Sequence, residues 1–281
     1  MALLRIPEQP SRLERILIYG DPKTGKTRLA TSLTPRFGDI IYFAAEPGAE
    51  FLTPVLSKYR SRIHLVKPSG NDPDKDAFTF CLNDWKKEFP SANTIVWDSL
   101  TATALDLLRY IADKGQFSDK AHIVIGSDAY TQNIPMQGDY MAAQARVIRL
   151  LDFLFRQPMH ILVICHATYD APEDAPTEGG PDTIGKAKVR TLPGRFDTVL
   201  YTTRQVVPPK KFGDPSESKF LVYGERYKIW NAGIRSGHAH NPMPLTEMPP
   251  DPGDVWQKFD HHFLLPTLPA LPPTNTEPVT T

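Results

Sequence analysis

Short runs of apolar residues alternate along the chain with segments in which apolar residues recur at helical spacing. The runs predict buried strands, because a strand covered on both faces is apolar at consecutive positions. The alternation predicts an α/β fold with a mainly parallel, twisted sheet flanked by helices. The predicted strands are Ile16–Tyr19, Asp39–Ala45, Ile63–Lys67, Thr94–Trp97, Met159–Cys165 and Thr198–Thr203, and the predicted helices are Lys26–Leu33, Lys75–Phe89, Thr101–Lys114 and Asp139–Gln157.

The remaining segments predict loops, a hairpin and a tail. Residues 115–138 and 167–193 are polar and contain glycine, which predicts irregular loops. Residues 220–223 and 227–230 predict the two strands of a C-terminal β-hairpin. Residues 266–281 carry almost no charge and cannot bury a core, so we expect a core over 1–245 and a C-terminal extension over 246–281, proline-rich and largely disordered from about 266.

Composition narrows the class of protein. The chain has 32 basic and 32 acidic residues, a formal net charge of zero, so any site for a polyanion must be a local patch. The 28 prolines among 281 residues are about twice the usual share of roughly 5% and imply many loops. The two cysteines exclude a disulfide framework and indicate a reducing compartment. The start is too polar for a secretory signal peptide and no apolar run is long enough to cross a membrane, so we expect a cytoplasmic protein.

The strongest motif follows the first predicted strand and precedes the first predicted helix. It matches the pattern GxxxxGK[ST], which is typical of a P-loop for ATP. Backbone N–H groups of such a loop face the phosphates, the lysine ammonium reaches the β- and γ-phosphates, and the final hydroxyl binds Mg²⁺. The predicted nucleotide-binding residues are Gly20, Asp21, Pro22, Lys23, Thr24, Gly25, Lys26 and Thr27.

Asp98 ends the apolar strand Thr94–Trp97 and is the second predicted Mg²⁺ residue, after Thr27. In P-loop enzymes, a carboxylate at such a strand tip holds the metal. The alternative interpretation is an ordinary strand-end aspartate that caps the next helix.

Two further polar residues follow predicted strands. Glu46 follows Asp39–Ala45, and its carboxylate can polarise the water that attacks the γ-phosphate. His166 follows Met159–Cys165 and can hydrogen-bond the γ-phosphate. The alternatives are a solvated loop glutamate and a structural histidine.

These motifs together resemble the RecA/RadA recombinase core, and most closely the short, core-only RecA-like ATPases of bacteriophages, which are nucleotide-binding or single-strand annealing proteins. The resemblance covers roughly residues 13–245. The segments that carry it are GDPKTGKT (20–27), FAAEPGAE (43–50), IVWDSLTA (95–102) and ILVICHATYD (161–170).

The resemblance implies that residues 115–138 and 167–193 correspond to the two DNA-binding loops of the RecA core. Tyr130, Tyr140 and Tyr169 can stack on bases. A solvated charge run on a loop is the alternative interpretation of the basic residues in this region, and acidic residues in the first half of 167–193 would repel nucleic acid. The predicted contacts to single-stranded DNA are Lys186, Lys188, Arg190 and Arg195.

The resemblance also implies assembly into a homo-oligomer, a ring or a filament. Basic residues after the hairpin would then reach the nucleotide of the neighbouring subunit, and Lys228 and Arg235 are the candidates. Arg235 would stabilise charge on the transferring phosphoryl group, and a surface arginine is the alternative.

Three functions remain open from the sequence. The first is an Mg²⁺-dependent ATP hydrolase that binds single-stranded DNA in phage recombination, annealing or repair, located in the host cytoplasm if the chain is phage-encoded. The second is an ATP-dependent switch or assembly protein that controls a protein partner in DNA replication. The third, a small-molecule kinase, would need an arginine-rich lid, which the basic residues at 186–195 imitate poorly.

Overall fold

A computed structural model describes residues 13–32, 37–46, 60–115, 121–125, 130–170, 177–185, 191–208, 217–234 and 246–247. The helices are α1 (Lys26–Thr31), α2 (Pro73–Leu82), α3 (Trp85–Glu88), α4 (Leu100–Lys114) and α5 (Gln137–Leu154). The strands are β1 (Arg15–Gly20), β2 (Asp39–Ala44), β3 (Ile63–Val66), β4 (Ala92–Asp98), β5 (Ala121–Ile125), β6 (Tyr130–Ile134), β7 (His160–Asp170), β8 (Glu178–Pro181), β9 (Thr198–Val207), β10 (Glu217–Tyr223), β11 (Gly233–Ile234) and β12 (Thr246–Glu247).

The main sheet has the strand order β12-β10-β9-β1-β7-β4-β2-β3. The strands from β9 to β3 in this order run parallel to their neighbours, whereas β10 is antiparallel to β9 and β12 is antiparallel to β10. A mainly parallel sheet with helices is the predicted α/β architecture, which the structure confirms.

Each face of the sheet has its own apolar core, which explains why the central strands are apolar at consecutive positions. Leu29 and Ala30 of α1 pack on one face together with Tyr42 and Val96. Helices α2, α4 and α5 cover the other face, where Trp97 is the largest buried side chain. Both faces of the sheet are thus packed, and the site has to be sought at the carboxyl ends of the parallel strands.

Several predicted elements have different bounds in the structure. The predicted helix over 75–89 is two helices, because Asp84 accepts a hydrogen bond from the backbone N–H of Lys87 and caps the start of α3. Residues 115–138, predicted as an irregular loop, contain the antiparallel pair β5–β6. The predicted loop over 167–193 is also partly strand, because β7 continues to Asp170 and pairs with β8.

The C-terminal hairpin consists of β9 and β10, and the predicted pairing of 220–223 with 227–230 is wrong. Tyr227 and Trp230 form only one isolated bridge, which closes a tight turn. Trp230 then stacks on Tyr201 at 4.7 Å between ring centroids and covers β8 at Gly179. The turn therefore covers the sheet at Tyr201 of β9 and Gly179 of β8.

Residues 246–247 of the predicted extension join the sheet as β12, and the tail at 266–281 lies outside the described residues. Where the structure describes the chain, no helix is both long and apolar enough to cross a membrane.

Candidate nucleotide site

The loop between β1 and α1 has the backbone of a tight phosphate-binding turn. Gly25 has a φ of 87°, in the left-handed region that favours glycine, and it stands immediately before the first residue of α1. Lys23 also has a positive φ, 63°, although it carries a side chain. Such a conformation costs on the order of 1–3 kcal/mol and is maintained only where the surrounding structure enforces it.

Contacts with β9 fix this loop. The Thr24 hydroxyl donates to the Asp21 carbonyl at 2.8 Å and lies 2.8 Å from the Thr202 hydroxyl. A Cβ atom at Gly20 would come within 2.1 Å of the Thr202 carbonyl oxygen. Gly20 is therefore required by packing against β9, a reason that the motif alone does not provide.

Lys26 lies inside the loop and is buried. Its ammonium donates to the carbonyl oxygens of Gly20 at 2.9 Å and Asp21 at 2.7 Å. Burial lowers the pKa of Lys26, and the nearby carboxylates of Asp98 and Glu46 act in the opposite direction. The charge thus stands in a poorly solvated position, where a phosphate anion would be attracted strongly.

Thr27 and Asp98 meet at the predicted metal position. The Thr27 hydroxyl donates to Asp98 Oδ2 at 2.7 Å, and the phenol of Tyr42 donates to the same oxygen. Burial raises the pKa of Asp98, and the two hydroxyl donors partly offset this effect. A carboxylate and a hydroxyl side by side are the hard oxygen donors that Mg²⁺ prefers, so these residues fit the ion.

Glu46 and His166, predicted as separate residues, are in contact. His166 Nε2 lies 2.9 Å from Glu46 Oε1, and the Ser99 hydroxyl donates to the same oxygen. Hydrogen bonding from His166, followed by that from Ser99, lowers the pKa of Glu46. An ionised Glu46 requires Nε2 of His166 to carry the proton that is shared between them.

Strand register explains why these side chains meet. Gly20 on β1 pairs with His166 on β7, and Ala44 on β2 pairs with Asp98 on β4. Strand β7 lies between β1 and β4, so the P-loop, His166, Asp98 and the residues after β2 all lie along one edge of the sheet. Ligands of open α/β sheets bind at this edge.

Three residues of the site were missed from the sequence: Tyr42, Ser99 and Thr101. The Ser99 hydroxyl also accepts from the backbone N–H of Ala102 and so caps α4. The Thr101 hydroxyl accepts from the backbone N–H of His166 at 2.9 Å. The Ser-Leu-Thr string after Asp98 was a usable signal for the last two, since serine and threonine favour helix starts.

The model of a family described as "AAA domain" matches residues 13–227. The chain belongs to this AAA-domain family. It therefore contains a P-loop ATPase-like domain, in agreement with the geometry of residues 20–27. No curated protein shows significant similarity to the chain.

The predicted DNA-binding and trans-acting residues of the AAA domain lie mostly outside the described residues: Lys186, Lys188, Arg190 and Arg235. Lys228 is described and exposed, and its ammonium lies 5.1 Å from the centroid of the Tyr227 ring. Tyr140 and Tyr169 expose 42% and 62% of their surface, as base stacking would require.

Arg195 lies far from the P-loop edge. It ends the short 3₁₀ turn Pro193–Arg195 just before β9 begins, which places it at the amino-terminal edge of the sheet. Its guanidinium donates to Asp152 and lies 5.9 Å from the centroid of the Phe155 ring. These contacts give Arg195 a structural partner, and its role in DNA binding stays a prediction.

Proposed function

We propose that this AAA domain is an Mg²⁺-dependent ATP hydrolase of the RecA-like core type that binds single-stranded DNA in phage recombination, annealing or repair. The observation that carries the hydrolytic part is the position of Glu46. A carboxylate that is held by His166 and Ser99 follows β2, directly beside the strand that ends in Asp98. A P-loop alone indicates nucleotide binding, whereas this additional base indicates hydrolysis.

The residues of the chain divide the reaction between them. The P-loop backbone and the Lys26 ammonium bind the β- and γ-phosphates of ATP. When bound at Thr27 and Asp98, Mg²⁺ supplies neutralisation of the phosphate charge. Glu46 accepts a proton from water as the water oxygen attacks the γ-phosphorus, the bond to the β-phosphate oxygen breaks, and ADP leaves.

The two hydrogen bonds to the Glu46 side chain from His166 and Ser99 both reach Oε1. The carboxylate is thereby oriented, and Oε2 is the oxygen that we assign to water. The two donors also lower the pKa of Glu46, so the carboxylate that accepts the proton stays ionised to more acidic pH than an ordinary glutamate does. The contact of His166 with the γ-phosphate stays a prediction, and it would require His166 to give up its hydrogen bond to Glu46.

Tyr169 supports the DNA part of the proposal. It lies three positions after His166 on β7, about 10 Å along the strand, and exposes most of its ring. A base stacked on Tyr169 would thus lie near the strand ends that carry Glu46 and His166, so that DNA binding and hydrolysis can influence each other. Basic residues at 186–190 would contact the phosphates, and assembly into a ring or filament would bring Lys228 or Arg235 to a neighbouring site.

The alternative function is an ATP-dependent switch that controls a protein partner in DNA replication. The formal net charge of zero favours it, because a dedicated DNA-binding protein is commonly basic. Such a switch would bind ATP with negligible turnover and without stimulation by DNA.

Steady-state ATP turnover with and without single-stranded DNA tests the proposal. Glu46→Gln should bind ATP but hydrolyse it on the order of 100-fold more slowly, because the base is lost and the phosphate cradle is kept. Glu225→Gln, at an exposed position in the turn after β10, is the matched control and should behave as wild type. Normal turnover by Glu46→Gln would refute the role of Glu46. Negligible wild-type turnover that DNA does not stimulate would favour the switch.

A further inference from the structure

Tyr42 contacts the metal side of the site from within the core. Its side chain has no exposed surface, and its phenol donates to Asp98 Oδ2. Thr27 donates to the same oxygen at 2.7 Å, so two hydroxyl groups converge on one atom of a carboxylate that is 8% exposed.

The sheet fixes where this phenol can point. Tyr42 pairs with Val96 and Ala44 pairs with Asp98, so Tyr42 and Asp98 lie on the same face of neighbouring parallel strands. The ring packs in the core with Leu29 of α1. Since the ring is enclosed in this way, its hydroxyl cannot turn towards a nucleotide.

Thr27 and Tyr42 therefore differ in what they can do. Thr27 belongs to the P-loop, donates to Asp98, and would also hold Mg²⁺ in a loaded site. Tyr42 lies in the core rather than in the P-loop, and its phenol donates to Asp98. We infer that Tyr42 is a positioning residue that holds the Asp98 carboxylate beside Thr27 in the orientation needed for Mg²⁺, an inference that rests on the proposed function.

A merely structural explanation is that a buried phenol needs some acceptor, and Asp98 is the nearest one. The chain offers a matched control for this explanation. Tyr19 is equally buried, and its phenol donates at 2.6 Å to the backbone carbonyl of Asn231, away from the metal side. Tyr42→Phe and Tyr19→Phe each remove one buried hydroxyl and one hydrogen bond, but only the first change reaches Asp98.

The experiment measures the affinity of the full chain for a fluorescent, non-hydrolysable ATP analogue as Mg²⁺ is varied, and again with EDTA. Tyr42→Phe should raise the Mg²⁺ concentration for half-saturation roughly 10-fold, as the loss of a residue that orients a metal ligand does. Its affinity in EDTA should equal that of wild type. Tyr19→Phe should match wild type in both conditions, and both variants should lose a similar amount of thermal stability.

An unchanged Mg²⁺ dependence in Tyr42→Phe would overturn the inference and leave the proposed function standing. A wild-type protein without any Mg²⁺-dependent binding would overturn both. If Tyr42→Phe does not fold, Tyr42 is replaced by 4-aminophenylalanine and, in a second variant, by 4-methylphenylalanine, since only the first keeps a donor. Equal Mg²⁺ dependence of those two proteins would also overturn the inference.

Discussion

The first position of the P-loop can require glycine for two reasons, close approach to phosphate or close packing against β9, and Gly20→Ala distinguishes between them. A Cβ atom would lie 2.1 Å from the carbonyl oxygen of Thr202 and 2.3 Å from its hydroxyl oxygen. Ordinary contacts of this kind exceed 3 Å, so β1 and β9 would have to separate by about 1 Å within a packed sheet. The carbonyl is backbone, and no side-chain rotation can relieve the contact.

We expect Gly20→Ala to lower the free energy of unfolding by about 3 kcal/mol, at the upper end for overpacking in a core. For a domain of this size the corresponding fall in melting temperature is about 6–12 °C. Urea unfolding and thermal melts without nucleotide measure both quantities. Gly194→Ala is the control, because a Cβ there would meet nothing within 4 Å, and it should change stability by less than about 0.5 kcal/mol.

Equal stability of Gly20→Ala and Gly194→Ala would refute the packing argument. If Gly20→Ala were as stable as wild type but bound ATP weakly, phosphate approach alone would explain the glycine.

Three further predictions concern the site and the DNA segment. Lys26→Ala should reduce ATP hydrolysis on the order of 100-fold through loss of the charge that faces the phosphates, with a thermal melt to verify folding, and wild-type turnover would refute the nucleotide site. His166→Ala removes the strongest cause of the lowered pKa of Glu46, so that pKa should rise. Since Glu46 acts as a base only when ionised, the acid limb of the pH profile of kcat/KM should move to higher pH. The control His64→Ala, on β3, should leave this limb in place. A triple variant removes the three basic side chains at 186–190: Lys186→Ala, Lys188→Ala and Arg190→Ala. It should bind a labelled single-stranded oligonucleotide more weakly in anisotropy titrations, and the slope of log affinity against log salt concentration should fall by roughly 0.7 per lost contact. Identical slopes for the variant and wild type would exclude this segment from the DNA site.

The sequence by itself determined the fold class, and it predicted most of the residues that meet at the candidate nucleotide site. Short runs of consecutive apolar residues favour strands covered on both faces, because a buried helix would need a longer run, and the P-loop pattern is local. Both signals can therefore be read without tertiary contacts. Asp98, Glu46 and His166 each follow an apolar run, and the carboxyl ends of parallel strands share an edge. That rule was enough to predict that the three residues lie in one site.

Local patterns were least informative in the polar segments. The extension of β7 to Asp170 and its pairing with β8 occur in a segment rich in glycine and proline, which predicts a loop. The partner of β10 was also misjudged, because the short turn after Tyr223 suggested a local hairpin, whereas β9 lies across a longer connection. In both cases tertiary pairing overrode the local signal.

Only the tertiary structure decided which side chains touch. The pairing of Glu46 with His166 joins residues 120 positions apart, and it depends on β7 lying between β1 and β4, an order that sequence spacing does not encode. The same holds for Tyr42 on Asp98 and for Gly20 against Thr202. Composition and periodicity fix which residues are buried and at which strand end they lie, but a hydrogen bond or a steric contact depends on which strands are neighbours and in which register.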